Sequence, residues 1–91
     1  VLEQALAELA ATASLADLYA SGQGVPRDEA KAVALYLAAC DLDFNLGCSN
    51  AGHFHREGRG VKRDPKKAAE LFEKACRLGD AEACEEGKKR R

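Results

Sequence analysis

Apolar residues late in the chain recur at helical spacing. Ala68, Leu71, Phe72 and Ala75 fall on one face at i, i+3, i+4 and i+7. Lys66, Glu70, Glu73, Lys74 and Arg77 take the other face. The pattern predicts an amphipathic helix starting at Asp64, a good N-cap, with Pro65 just inside it, where a missing N–H costs nothing. Asp28 marks a similar start earlier in the chain. Ahead of each cap lies a Gly-x-Gly segment, Gly22 to Gly24 and Gly58 to Gly60, suited to a tight interhelix turn with positive φ. Val25 and Val61 are expected to plug this turn into the core. Upstream of it, Leu15, Leu18 and Tyr19 are expected to face the core from a first helix.

These features are two copies of one unit. Ser21-Gly22-Gln23-Gly24-Val25-Pro26-Arg27-Asp28 recurs 36 residues later as Glu57-Gly58-Arg59-Gly60-Val61-Lys62-Arg63-Asp64. Between positions 22 and 48, 12 of 27 residues are identical at that shift, far above chance. The run Leu15-Ala16-Asp17-Leu18-Tyr19, then Gly22, Gly24, Val25, Asp28, Lys31-Ala32 and Ala39-Cys40, resembles the Sel1-like repeat. That repeat is a helical hairpin related in shape to the tetratricopeptide repeat. The cysteines resemble the family's cysteine-rich branch, typified by the Helicobacter cysteine-rich proteins. The resemblance implies an all-α fold, a right-handed α-solenoid of about two hairpins plus flanking helices. One domain, 1–91, would comprise an N-terminal helix 1–10, repeat one about 11–42 and repeat two about 43–78. A half-repeat 79–87 and a basic tail 88–91 would complete it. Two departures stand out: His55 replaces the Tyr19 of unit one, and Asp43 stands where the family usually has Gly, as at Gly79.

Composition narrows the function classes. A chain of 91 residues has room for one small domain. At 46% hydrophobic residues it is too apolar for a disordered tail, and no apolar run reaches the ~18–20 residues of a membrane helix. A net charge of −1 does not suggest a nucleic-acid binder. The charge is uneven, however, at −5 over residues 1–50 and +4 over 51–91. That asymmetry fits head-to-tail association or an oppositely charged partner. The basic tail would be either a solvated end or a contact for an anionic surface. The Gly-x-Gly turns are not phosphate loops, because no Gly-Lys-Ser/Thr follows them. The chain opens at Val1 with no visible signal peptide, so any export signal would have been removed.

Cysteine spacing indicates the compartment. Cys-x7-Cys occurs twice, as Cys40/Cys48 and Cys76/Cys84, unlike the short clamps of zinc sites. Each pair spans the end of one helix and the start of the next. That suits sulfurs facing across a short turn, and predicts disulfides Cys40–Cys48 and Cys76–Cys84. The family resemblance implies the same pairing. Each closes a small loop, worth about 2.5 kcal/mol in the chain-entropy model. The alternative is four reduced, buried thiols. A reactive Cys-x-x-Cys is absent. Disulfides imply an extracytoplasmic setting, periplasmic or secreted, with the mitochondrial intermembrane space as the alternative.

In tetratricopeptide-like solenoids the first helix of each hairpin lines the concave surface. On that basis Ser14, Asp17 and Ser21 of unit one, and Ser49, Asn50, His53, Arg56 and Glu57 of unit two, are candidate partner-binding residues. Such a face suits a peptide or protein segment, or is simply solvated. His55 is expected to be a packed core histidine. Ser49, His53 and Glu57 form the one Ser/His/carboxylate run, exposed on a single helix. Some cysteine-rich relatives are described as penicillin-binding or β-lactamase-like, but no Ser-x-x-Lys supports that reading here. A redox or haem-handling assembly role would need His53 or His55 as an axial ligand. Finally, Ala30, Ala34, Leu37 and Ala38, with Val33 beside them, stand where unit two carries Lys66, Glu70, Glu73 and Lys74, and Leu2, Leu6, Leu9 and Ala13 form a second apolar stripe. Either the N-terminal helix folds over as a cap, or the stripes contact a partner or a second copy as a homodimer. The expectation is a non-catalytic interaction scaffold, without cofactor or metal.

Overall fold

The computed structural model describes residue 12 and residues 14–88. Helix α1 holds residues 14–21. It is followed by α2 (Glu29–Asp41), α3 (Asn45–Glu57), α4 (Pro65–Arg77) and α5 (Ala81–Lys88). The expected N-terminal helix 1–10, the stripe of Leu2, Leu6, Leu9 and Ala13 with any homodimer through it, and Lys89 to Arg91 lie outside the described residues.

Local chemistry repeats with the sequence. Asp28 and Asp64 cap α2 and α4, each Oδ1 accepting a hydrogen bond at 3.0 Å from the N–H of Lys31 or Lys67. Each cap residue also ties its loop back, Asp28 N–H to the Tyr19 carbonyl and Asp64 N–H to the His55 carbonyl, both at 2.8 Å. Gly58 ends α3 with φ 71°, a left-handed conformation that favours glycine. Between α2 and α3 the chain needs the same handedness, and Asp43 supplies it at φ 64°. Aspartate is among the few other residues that tolerate this region. Its carboxylate lies 3.4 Å from Lys74 Nζ.

From α2 to α5 each helix packs on the next in chain order, and α1 meets α2 through Asp17 with Tyr36 and Tyr19 with Lys31, so α2 and α4 each lie between two first helices. This widens the face they bury. Ala68, Leu71, Phe72 and Ala75 are in the core, and so is Ala69. Val33, one unit earlier than Ala69, is 2% exposed. This corrects the outward placement of Val33. Leu37 is half-buried against the core, while Ala34 and Ala38 are exposed. The first helix is corrected as well. Ala16 is buried and Tyr19 packs against the core, whereas Leu15 and Leu18 are 40% and 38% exposed. Their counterparts Ala51 and Phe54 are buried, with Phe54 edge-on to Tyr36 of α2 at 5.6 Å. Among the described residues no earlier helix stands against Leu15 and Leu18 as α2 stands against Phe54.

The junction between hairpins is close. A Cβ at Gly60 would lie 2.4 Å from the Glu29 carbonyl carbon, so only glycine lets this turn rest on the start of α2. Arg59 beside it donates Nε–H to Glu29 at 2.7 Å, and its guanidinium lies 4.5 Å from the Phe54 ring centre. These bonds, with a second from Arg27, hold the Glu29 carboxyl below the usual carboxylate range. Val61 packs against the core margin from the same turn.

Both cysteine pairs are bonded. Cys40–Cys48 joins α2 to α3 and Cys76–Cys84 joins α4 to α5, with Cα separations of 4.5 and 4.7 Å. The first is sealed in the core, with Cys40 2% and Cys48 0% exposed. The second is half-buried beside a hollow of about 330 Å³ between α4 and α5.

Candidate functional site

A concavity that involves the concave-face residues lies between α3 and α5. It encloses about 500 Å³. Asn45, Leu46, Ser49, Asn50 and His53 form the α3 wall, and Asp80, Glu82, Ala83 and Glu86 the opposite one. Phe72 of α4 lies beneath. Gly52 makes room for it, since a Cβ there would come within 2.9 Å of the ring. His53 stands edge-on to Phe72, with ring centres 5.0 Å apart.

Arg56 organises one end of the groove. It pairs with Glu86 across the two helices, and its guanidinium lies 5.4 Å from the Phe72 ring centre. It also meets His53 Nδ1 at 2.9 Å. A guanidinium can only donate, so Nδ1 accepts and the proton of the neutral ring sits on Nε2. His53 therefore offers a donor on its other nitrogen. Asn45 and Asn50 each bring an amide that can both donate and accept.

The repeat-one positions are arranged differently. Asp17 is 36 residues before His53, and Tyr36 is 36 before Phe72. In place of the ring contact, Tyr36 donates its hydroxyl to Asp17 Oδ1. Burial, and then this carboxylate, push the Tyr36 phenol above its ordinary range. Ser21 spends its hydroxyl on its own helix, at 3.0 Å from the Asp17 carbonyl, and Ser14 is exposed. Glu57 is exposed and lies 3.6 Å from Arg59. The groove thus brings together Ser49, Asn50 and His53, with Arg56 at its end through Glu86, and leaves Ser14, Asp17, Ser21 and Glu57 outside it.

Ser49 is corrected from exposed to buried, at 8%. Its hydroxyl donates to the Leu46 carbonyl at 3.3 Å, and His53 is engaged with Arg56. The Ser/His/Glu run therefore does not assemble a nucleophile on an oriented base. His55 is buried, donating Nδ1–H to the Ala51 carbonyl at 2.7 Å. Among the described residues no group of three or more His, Cys, Asp or Glu is placed to hold a metal. Also among them, no helix is long and apolar enough to cross a membrane.

Sequence reasoning missed the α5 wall. A signal existed: Glu86 is 36 residues beyond Asn50, so the repeat register already placed it on the concave side. Its pairing with Arg56 had no such signal.

Comparisons with known proteins agree with this geometry. The Sel1 repeat family matches residues 4–44 and 44–80. Among solved structures, cysteine-rich protein B of Helicobacter pylori is 40% identical with a TM-score of 0.80, over 81% of this chain and 56% of that one. A Sel1 repeat protein from Oxalobacter formigenes is 26% identical with a TM-score of 0.84, over 87% of this chain and 32% of its own. A protective antigen of uropathogenic Escherichia coli strains, which displays the same fold, is 32% identical with a TM-score of 0.80. That match covers 82% of this chain and 16% of the antigen. This chain therefore spans about half or less of the length of these relatives. No curated protein matches it. Two hairpins in register, capped alike and clipped by the same cysteine spacing, together with these matches, place the chain in the Sel1 repeat family.

Proposed function

We propose that the chain is a non-catalytic binding scaffold, and that the groove between α3 and α5 receives a segment of another protein. The observation that carries this reading is the groove's make-up. A preformed concavity of about 500 Å³ has an aromatic base and amide, imidazole and carboxylate groups on its walls. Polar groups outnumber apolar side chains on these walls, which suits an extended segment whose backbone needs hydrogen-bond partners. Asp17 and Ser14 extend the same side of the molecule toward the N-terminus. The disulfides support an oxidising, extracytoplasmic setting, periplasmic or secreted.

The test is affinity capture from an extracytoplasmic extract with the oxidised chain, set against Asn50→Ala and His53→Glu variants of matched helicity. The expected result is a partner retained by the wild type and lost by both variants. Retention by all three would refute the groove as the binding site. Mass spectrometry of the non-reduced protein from its source checks the compartment, and free thiols there would refute it.

A further inference from the structure

We infer that the groove selects a segment carrying a lysine or arginine side chain, which Asp80 and Glu82 receive. This rests on the groove being a partner site and adds the chemistry of the partner.

The charges at the groove are one-sided. The wall that starts with Asp80 contributes three carboxylates, Asp80, Glu82 and Glu86, whereas the α3 residues facing them are neutral amides, a hydroxyl, a leucine and His53. The nearby cation, Arg56, is already paired with Glu86 and lies over Phe72. Among the described residues neither Asp80 nor Glu82 is in an ion pair. Asp80 uses Oδ1 to accept the Ala83 N–H at 3.2 Å, and its second oxygen carries no such duty. Two carboxylates without an ion-pair partner, Asp80 as the cap of α5 and Glu82 in its first turn, thus stand at a cleft whose other wall carries no cation.

Shape agrees with charge. Leu46, 51% exposed, lines the groove opposite the carboxylates. A lysine or arginine side chain is amphipathic in the matching way, with a methylene stem for the leucine and a charged head for the acids. Asn45 and Asn50 can bond the backbone of an extended segment. An acidic or phosphorylated segment would meet like charge, as would a nucleic-acid backbone.

The test uses the oxidised full chain and three labelled decapeptide pools, randomised except for a central residue fixed as Lys/Arg, Ala or Glu. Fluorescence polarisation should show the Lys/Arg pool binding about tenfold more tightly than the Ala pool, with the Glu pool weakest. Tenfold corresponds to about 1.4 kcal/mol, within the reach of two carboxylates at a groove rim. The preference should shrink at high salt and in the Asp80→Asn/Glu82→Gln double variant, in which Asn keeps the α5 cap. Lys/Arg preference unchanged in that variant would overturn the assignment to these residues. Equal binding of the Lys/Arg and Ala pools, abolished by Asn50→Ala, would overturn the charge selection and leave the groove a partner site. Binding by no pool would overturn both. A peptide copying residues 85–91 is a separate arm. If it alone binds, and light scattering finds self-association, the occupant is a second copy and the inference falls.

Discussion

The two disulfides close loops of the same length, so the chain-entropy model assigns each about 2.5 kcal/mol. Their environments differ. Cys40–Cys48 is enclosed with Ala68, Leu71 and Ala75 of α4, and Lys74 Nζ donates to the Cys40 carbonyl at 2.8 Å. Cys76–Cys84 borders the 330 Å³ hollow, because among the described residues no further helix follows α5. Reduction requires a thiolate to approach along the sulfur–sulfur axis. At the outer bond that needs little motion. At the inner bond it needs α4 to leave α3, an opening of roughly 4–5 kcal/mol if it approaches the stability of a small domain. The inner bond should then reduce about a thousandfold more slowly. Graded dithiothreitol, quenching by alkylation and peptide mass spectrometry would measure both rates. Once the outer bond opens, α5 has only eight residues, too short to persist by propensity. Its amides should lose hydrogen-exchange protection while those of α2 and α3 keep theirs. Equal reduction rates, or loss of the inner bond first, would refute the reasoning.

Further outcomes follow from single contacts. Gly60→Ala should cost about 2–3 kcal/mol in urea unfolding, since its Cβ meets the Glu29 backbone at 2.4 Å in addition to the left-handed strain. Gly24→Ala has the strain but open space around it, and should cost about 1 kcal/mol. Equal losses would show that the hairpin junction is not packed as described. The depressed Glu29 pKa means that its pairing with Arg59 and Arg27 stabilises the fold above pH ~4.3 and that this is lost as pH falls through the folded-state value. The Tm gap between wild type and Glu29→Gln should therefore close on acidification; a constant gap would contradict it. Tyr36→Phe should cost about 1 kcal/mol by removing the bond to Asp17, near the low end for a charged acceptor because Asp17 can turn to water. The raised Tyr36 pKa makes its contribution fully present below pH ~10 and lost as pH rises through the folded-state value, so wild type and variant should converge in alkali.

Much of the architecture was legible because it rests on local chemistry. The Asp caps, the Gly turns and the apolar face of α4 depend on residues within a few positions of one another, and periodicity exposes them. What escaped depends on neighbours distant in sequence. Val33 looks like part of an exposed stripe until α2 is placed between two first helices, which bury a wider arc than a one-sided helix would. Leu15 and Leu18 look like core because their counterparts Ala51 and Phe54 are core; the difference is whether a helix stands beside them. Ser49 looks exposed on its helical wheel, yet it is buried at the wall of the groove with its hydroxyl turned to the Leu46 carbonyl. The α5 wall was hidden for a related reason, since a half-repeat shows too little of its period to advertise a face.

The internal duplication separates what the fold demands from what it leaves free. Ala32 and Ala68, Leu35 and Leu71, Ala39 and Ala75, and both cysteine pairs are identical across the 36-residue shift because they seat one helix on the next. The concave positions do not repeat. Ser14, Asn50 and Glu86 form one series, Asp17 and His53 another, and beneath the latter Tyr36 is exchanged for Phe72. The last two exchanges are coupled: a hydroxyl donates to the carboxylate of Asp17 in one unit, and a bare ring meets the imidazole edge of His53 in the other. Packing does not require that variation, since both versions bury the α2 or α4 aromatic. The two units therefore hold the same backbone surface and offer different chemistry on it, one acidic and hydroxylated, the other an amide-and-imidazole cleft closed by the Arg56–Glu86 pair. A partner lying along this side would meet the units in a fixed order. Exchanging Asp17/Tyr36 with His53/Phe72 should accordingly preserve helicity and both disulfides while abolishing partner capture, whereas retained capture would place recognition elsewhere on the molecule.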